Sequence, residues 1–249
     1  MAGHSKWHSI RHKKGANDKK RGKIFTKHAK LIAIAAKDGG DPDLNPSLRT
    51  AIENAKAENV PNDNISRAIA KGSGEGKDGI QMSEVMYEAY GPAGTAMLIE
   101  AITDNKNRTV SNVKSIVSKK GANWAEPGSV AYMFEKKGVM NIEFNGDADE
   151  AQLELIEIGV EEFDNVEGNE MVVYCNHKDL SSIREKIKQA GYKVLEAKTS
   201  FIPNNYVEIT ALDEAKKIMT LVEAIEEDDD VSEVHSNFDI AEDILSKLE

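Results

Sequence analysis

Residues 139–202 read VMNIEFNGDADEAQLELIEIGVEEFDNVEGNEMVVYCNHKDLSSIREKIKQAGYKVLEAKTSFI. Val139–Phe144 alternates as a strand, and Asp149–Ile158 repeats its apolar residues at helical spacing. Glu161–Val166 and Glu170–Cys175 are two strands around the Gly168-Asn169 turn. Asp179–Ala190 is a second helix and Tyr192–Ile202 a last strand. The order β-α-β-β-α-β is the split motif of ferredoxin-like folds. Pro203-Asn204-Asn205 closes it.

On the N-terminal side, Glu84–Tyr90 reads as a strand, Gly91-Pro92-Ala93-Gly94 as a turn and Thr95–Thr103 as a buried strand. Arg108–Lys120 is a helix closed by Gly121, Ser129–Glu135 another strand, and Lys136-Lys137-Gly138 a break. On the C-terminal side, a helix at 211–226 opens with Thr210 and Asp213 spaced as a capping box. A strand at Val231–Phe238 and a short helix at Ala241–Leu248 follow. The segment before residue 139 lacks a closing helix and strand, and the tail carries both without partners. Burial is satisfied most economically if the tail completes the earlier segment. The expected fold class is α+β with three domains. Residues 1–78 form a basic arm and a three-helix domain. Residues 79–138 with 204–249 form a discontinuous α+β domain, and residues 139–203 an inserted ferredoxin-like domain.

In the first 78 residues, Ile24, Phe25, His28, Leu31, Ile32 and Ala35 recur at helical spacing, and Gly39-Gly40 ends the helix. Asn45-Pro46 caps a second helix, and a third follows Pro61. Gly72-Ser73-Gly74-Glu75-Gly76 reads as a linker. Residues 1–23 are polar, glycine-interrupted and expected to be extended or partly ordered when free.

Charge is distributed unevenly along these 249 residues. The formal net charge is −11, yet residues 1–77 carry +8 and residues 140–249 carry −19. Residues 1–37 hold 11 basic side chains against Asp18 alone. A basic end on an acidic body points to a polyanion partner. Lys6, Arg11, Lys13, Lys14, Lys19, Lys20, Arg21, Lys23 and Lys27 suit phosphates, and Trp7 suits base or ribose stacking. Such an arm does not distinguish DNA from RNA. Asp104–Thr109, between a strand and a helix start, has two readings. Asn107, Arg108 and Thr109 hold a phosphate there, or the segment is turn and cap chemistry.

Several classes are set aside. A single cysteine, Cys175, excludes a disulfide framework and a CxxC zinc ribbon, and it reads as an inert core residue in a reducing cytoplasm. No apolar run approaches a membrane span, and the basic start lacks the apolar stretch of a secretory signal. On a helix His4, His8 and His12 would share a face, but the neighbouring cations disfavour a metal. Ala2-Gly3-His4, once Met1 is removed, has the spacing to trap Cu(II), and incidental capture is the preferred reading. Glu226–Asp230 lacks the ligand pattern of a calcium loop and reads as a solvated turn. No cofactor and no catalytic motif is legible, and a monomer is expected.

The motifs resemble those of the YebC/PmpR family. The residues that carry the likeness are Met1–Trp7, Arg11-His12-Lys13-Lys14, Arg21–Lys27, Asn45-Pro46 with Leu48-Arg49, Tyr87–Pro92, Thr103-Asp104-Asn105 with Asn107-Arg108-Thr109, and Gly128–Tyr132. Departures are Lys106 where arginine is common, Ala89 where glycine is common, and a less basic His28–Ala36. The resemblance implies a helical N-terminal domain, a discontinuous middle domain and a non-enzymatic cytoplasmic factor. It implies no catalytic residues. Members are described as DNA-binding transcriptional regulators. Others are described as ribosome-binding translation factors that ease proline-rich synthesis, or as a mitochondrial translational activator of cytochrome c oxidase subunit I. The lead expectation is a factor that binds rRNA on the ribosome, and the alternative is a regulator that binds duplex DNA.

Overall fold

The computed structural model describes residues 18–74 and 82–248. Three helices come first: α1 (Asp18–Ala35), α2 (Pro46–Ala57) and α3 (Asn62–Gly72). The Asn45 side chain accepts from Leu48 N at 3.0 Å and so caps α2. Ile32, Leu48, Ile52, Ala55, Val60 and Ile65 fill the core between the helices. Gly72 lets α3 lie directly on α1, because a Cβ there would fall 2.1 Å from Ala33 O. That glycine is a packing residue, where the sequence suggested only a linker.

The middle layer contains β1 (Ser83–Tyr90), β2 (Ala96–Thr103), α4 (Lys106–Lys119) and β3 (Asn123–Ala125). The chain then enters β4 (Phe134–Glu143), α5 (Ala148–Ile158), β5 (Glu162–Glu167), β6 (Glu170–Asn176), α6 (Leu180–Gln189) and β7 (Lys193–Pro203). It returns through β8 (Val207–Ile209), α7 (Leu212–Glu226), β9 (Val231–Ser236), β10 (Phe238–Ile240) and α8 (Glu242–Leu245). One sheet has the order β3-β1-β2-β9, so a tail strand pairs with β2. A second has the order β5-β6-β4-β7 with every neighbour antiparallel, the ferredoxin-like arrangement. β8 and β10 form a small parallel pair. The architecture is mixed helix and sheet, a helical N-terminal region followed by α/β layers.

β2 reads as a nearly unbroken apolar run because both of its faces are covered. Met97 and Ile99 face a core with Val113, Val117, Ile218, Leu221 and Phe238. Ala96 and Leu98 face Val130, Phe134 and Phe201. The inserted layer has its own core around Met140, Ile142, Leu155, Met171, Val173 and Ile187. Cys175 is fully buried there, and burial, with Glu161 and Asp179, pushes its thiol up to about 11.

Three local expectations fail for identifiable reasons. Residues 129–133 are not a strand but lead through a 3-10 turn at Ala131–Met133 into β4. The Glu88 carboxylate organises this turn by accepting from Gly128 N at 2.6 Å, Val130 N at 2.6 Å and Ala131 N at 3.1 Å. β4 then runs unbroken through Lys136-Lys137-Gly138. Gly138 is a contact residue within the strand, since a Cβ there would lie 2.8 Å from Cys175 Sγ and 3.1 Å from Leu180. Finally, the N-cap of α7 is Ala211, without a side-chain cap, so Thr210 and Asp213 form no capping box.

Burial favours the neutral form of Glu88, but the backbone hydrogen bonds outweigh it and hold the carboxyl below its ordinary range. Its contribution to stability is therefore present above the unfolded carboxylate range and is lost as pH falls through the lowered folded value. Glu88→Ala leaves the buried Val130 N–H without an acceptor and releases the Gly128 and Ala131 N–H groups, and the expected cost is about 3 kcal/mol. Denaturant midpoints of the two proteins measure it. A cost under about 0.5 kcal/mol, the level of an uninvolved surface change, would show that the turn holds itself.

Candidate nucleic-acid interface

α1 begins at Asp18, so the last six residues of the expected arm, 18–23, are helical. Its sequence, DKKRGKIFTKHAKLIAIA, loads cations into the first turns and apolar residues into the last. Arg21, Lys23 and Lys27 are exposed. Lys19 and Lys20 occupy the same first turns. Lys6, Trp7, Arg11, Lys13 and Lys14 lie outside the described residues, as do His4, His8 and His12. Burial pulls His28 down to about 4, helped by Lys27 and opposed by Glu196. The imidazole is therefore neutral near pH 7 and adds nothing to the cationic face.

The helix is splinted to the middle layer by its own lysines. Lys23 Nζ donates to Glu227 O at 2.8 Å. Lys30 Nζ donates to Asp229 O at 2.7 Å and pairs with Asp230 Oδ1 at 2.7 Å. Asp230 is 7% exposed, so the turn after α7 is not a fully solvated feature at this residue. Its other oxygen accepts from Arg108 Nη2 at 2.7 Å and Thr109 Oγ1 at 2.8 Å. Burial disfavours this carboxylate, but hydrogen bonds from Lys30, Arg108 and Thr109 outweigh it and hold the group at about 2.

The same hub reassigns residues 104–109. Thr109 is fully buried, with its hydroxyl 2.8 Å from Thr103 Oγ1. A phosphate at the surface does not reach it. Arg108 also pairs with Asp104 Oδ1 at 2.8 Å, so its guanidinium is occupied by two carboxylates. Asn105 caps α4 by accepting from Arg108 N at 3.1 Å. Asn107 remains exposed. The segment is a cap and an interdomain strut, and of the three proposed phosphate contacts only Asn107 stands open.

Three cations escaped the sequence reading. A groove of about 320 Å³ between α1 and α3 has Ala29, Ala33 and Ala68 among its apolar lining and Lys30, Arg67 and Lys71 among its cations. Arg67 and Lys71 sit four residues apart on α3, a spacing that signals one helical face. Arg67 donates to Asp63 O at 3.1 Å and to the Asn64 side chain. Neither Arg67 nor Lys71 pairs with a carboxylate among the described residues.

The helical domain is also tied to the inserted layer. Asn54 Nδ2 donates to Ala197 O at 2.6 Å, and Ala197 N donates back to Asn54 Oδ1 at 3.3 Å. Arg184 donates to Thr50 Oγ1 at 2.7 Å and pairs with Glu53, which Lys188 also reaches at 2.6 Å. α2 is thus turned inward, and the outer faces of α1 and α3 are left to solvent. Among the described residues no helix is long and apolar enough to cross a membrane, and no three His, Cys, Asp or Glu side chains gather as a metal site.

Comparison with known proteins agrees along the chain. Residues 5–75 match the family model of the TACO1/YebC protein N-terminal domain. Residues 82–238 match that of the TACO1/YebC second and third domain. A probable transcriptional regulatory protein of Fusobacterium nucleatum is 49% identical, with 100% of both chains covered. One of Maridesulfovibrio salexigens is 48% identical, also over 100% of both. The crystal structure of a conserved hypothetical protein from Aquifex aeolicus superposes with a TM-score of 0.83 at 39% identity, covering 90% of this chain and 93% of that one. With helical domain, paired sheets and near-half identity all pointing one way, the chain belongs to the TACO1/YebC family.

Proposed function

We propose that this protein is a non-enzymatic regulator of gene expression that grips nucleic acid by its phosphates, through the basic arm and the outer face of α1. The observation that carries this reading is the placement of α1. Lys23 and Lys30 pin it to an acidic turn, while Arg21 and Lys27 stay exposed. The relatives' printed name, probable transcriptional regulatory protein, supports the regulatory role. The strongly shifted groups support a binding role over a catalytic one, because Asp230, Glu233 and Lys198 are consumed by ion pairs between layers.

The mechanism we favour is attachment to rRNA on the ribosome in the cytoplasm, as a monomeric factor that eases proline-rich synthesis. Phosphate contacts position a protein without reading sequence, and an arm bearing one aromatic, Trp7, suits unstacked RNA bases. Duplex DNA is the second reading, favoured by the names of the relatives.

Gradient sedimentation of the intact protein with ribosomes, with promoter DNA as competitor, separates the two. A version lacking residues 2–17 removes the arm and leaves α1 whole. Co-sedimentation that resists DNA and needs the arm supports the ribosomal reading. Release at low DNA excess moves duplex DNA to the lead, and failure to bind either would end the nucleic-acid reading.

A further inference from the structure

We infer that the outer face of α4 is a second phosphate-binding surface, continuous with α1, so that one nucleic-acid strand crosses from the helical domain onto the middle domain. The inference rests on the reading above and extends it to a helix far from the arm in sequence.

The first observation is composition in place. From Lys106 to Lys120 the chain carries five cations and no carboxylate. Every other α-helix described after residue 82 contains at least one Asp or Glu. A carboxylate-free helix on an otherwise acidic body is a local reversal of field. Lys106, Lys119 and Lys120 are exposed, and none pairs with a carboxylate among the described residues. Asn107, also exposed, adds a short polar group of the kind that donates to phosphate oxygens. Lys114 lies 5.9 Å from the centre of the Trp124 ring and is partly held by it.

The second observation is adjacency. Lys30 of α1 and Arg108 in the first turn of α4 bind the two oxygens of a single carboxylate, Asp230. That shared anchor sets the start of α4 beside α1, with Lys106 at its first position. The 14 residues of α4 extend the track by roughly 20 Å, enough to meet several phosphates. Arg108 is the strut in this arrangement, and the lysines around it are the contacts.

The test uses the full chain and two labelled probes, a single-stranded RNA and a random duplex DNA, with affinity read from about 50 to 300 mM salt. Lys106→Gln, Lys119→Gln and Lys120→Gln are combined. A control combines Lys186→Gln, Lys216→Gln and Lys217→Gln, exposed lysines of α6 and α7 that give the same change in net charge. The α4 triple is expected to shrink the slope of log K against log salt by about 2 to 3, at 0.7–0.9 per lost contact, while the control leaves it within about 0.5. A loss seen on one probe alone supports the surface and identifies its nucleic acid. Equal slopes for the two triples overturn the inference and leave the arm reading standing. A parent protein that binds neither probe overturns both.

Discussion

Asp230→Asn is expected to lower stability by about 2 kcal/mol and to free α1 from the middle domain. The carboxylate is held at about 2, against an ordinary value near 3.8, by Lys30, Arg108 and Thr109. A difference of that size corresponds to about 2 kcal/mol of preferential binding to the charged form. Because the folded value is depressed, this stability is fully present above about pH 5. It is lost as pH falls through the unfolded value and then through about 2. The amide keeps the shape and one acceptor but loses the charge, leaving Lys30 partly buried beside a neutral group. Denaturant unfolding across pH 2.5 to 7 should show the parent losing stability in acid, with the variant flatter over the window. Amide hydrogen exchange should accelerate in α1 before it does in β2. Unchanged stability together with unchanged exchange in α1 would remove Asp230 as the link between the layers.

Neutralising Lys19, Lys20, Arg21, Lys23 and Lys27 to Gln is expected to abolish measurable nucleic-acid binding near physiological salt. Each phosphate contact contributes about 0.7–0.9 to the salt slope, so the four contacts other than Lys23, which Glu227 O already holds, remove about 3. Over a fourfold change in salt, that slope alone is worth about 100-fold in affinity. Stability should barely move, because Lys27 is exposed and the Lys23 bond to Glu227 O is a single surface contact. Titration of a labelled RNA and a labelled duplex over a salt series reads the effect. Binding retained at the parent's slope, with melting unaltered, would place the nucleic-acid surface elsewhere.

Local pattern carried much of the architecture because helix and strand periods are written in near neighbours. The segment 139–202 shows it. Its two helices, four strands and the Gly168-Asn169 turn are each signalled by residues within a few positions. The errors fall where a glycine or a carboxylate answers to something distant. Gly138 looks like a turn residue until Cys175 and Leu180 are placed against it. Glu88 gives no hint in its own strand that it organises a turn some 40 residues later. The start of α1 is not legible in the sequence for a related reason. A lysine-rich stretch with Gly22 has little helix signal of its own, and its far end is held by the packing of Phe25, Ala29 and Ile32.

The candidate interface divides in the same way. The amino-acid sequence by itself determined that one end of this chain is cationic and the other acidic, and which helices and strands follow one another. Composition and periodicity are properties of a stretch, and folding does not alter them. Only the tertiary structure decided which cations are free. Arg108, Lys30 and Thr109 are drawn to Asp230 across more than 120 residues of chain. Lys106, and Lys119 and Lys120, which the linear reading passes over, are left facing solvent. A charge can serve a partner only after the fold has settled its internal pairings, and those pairings are set by the closure of distant segments in space.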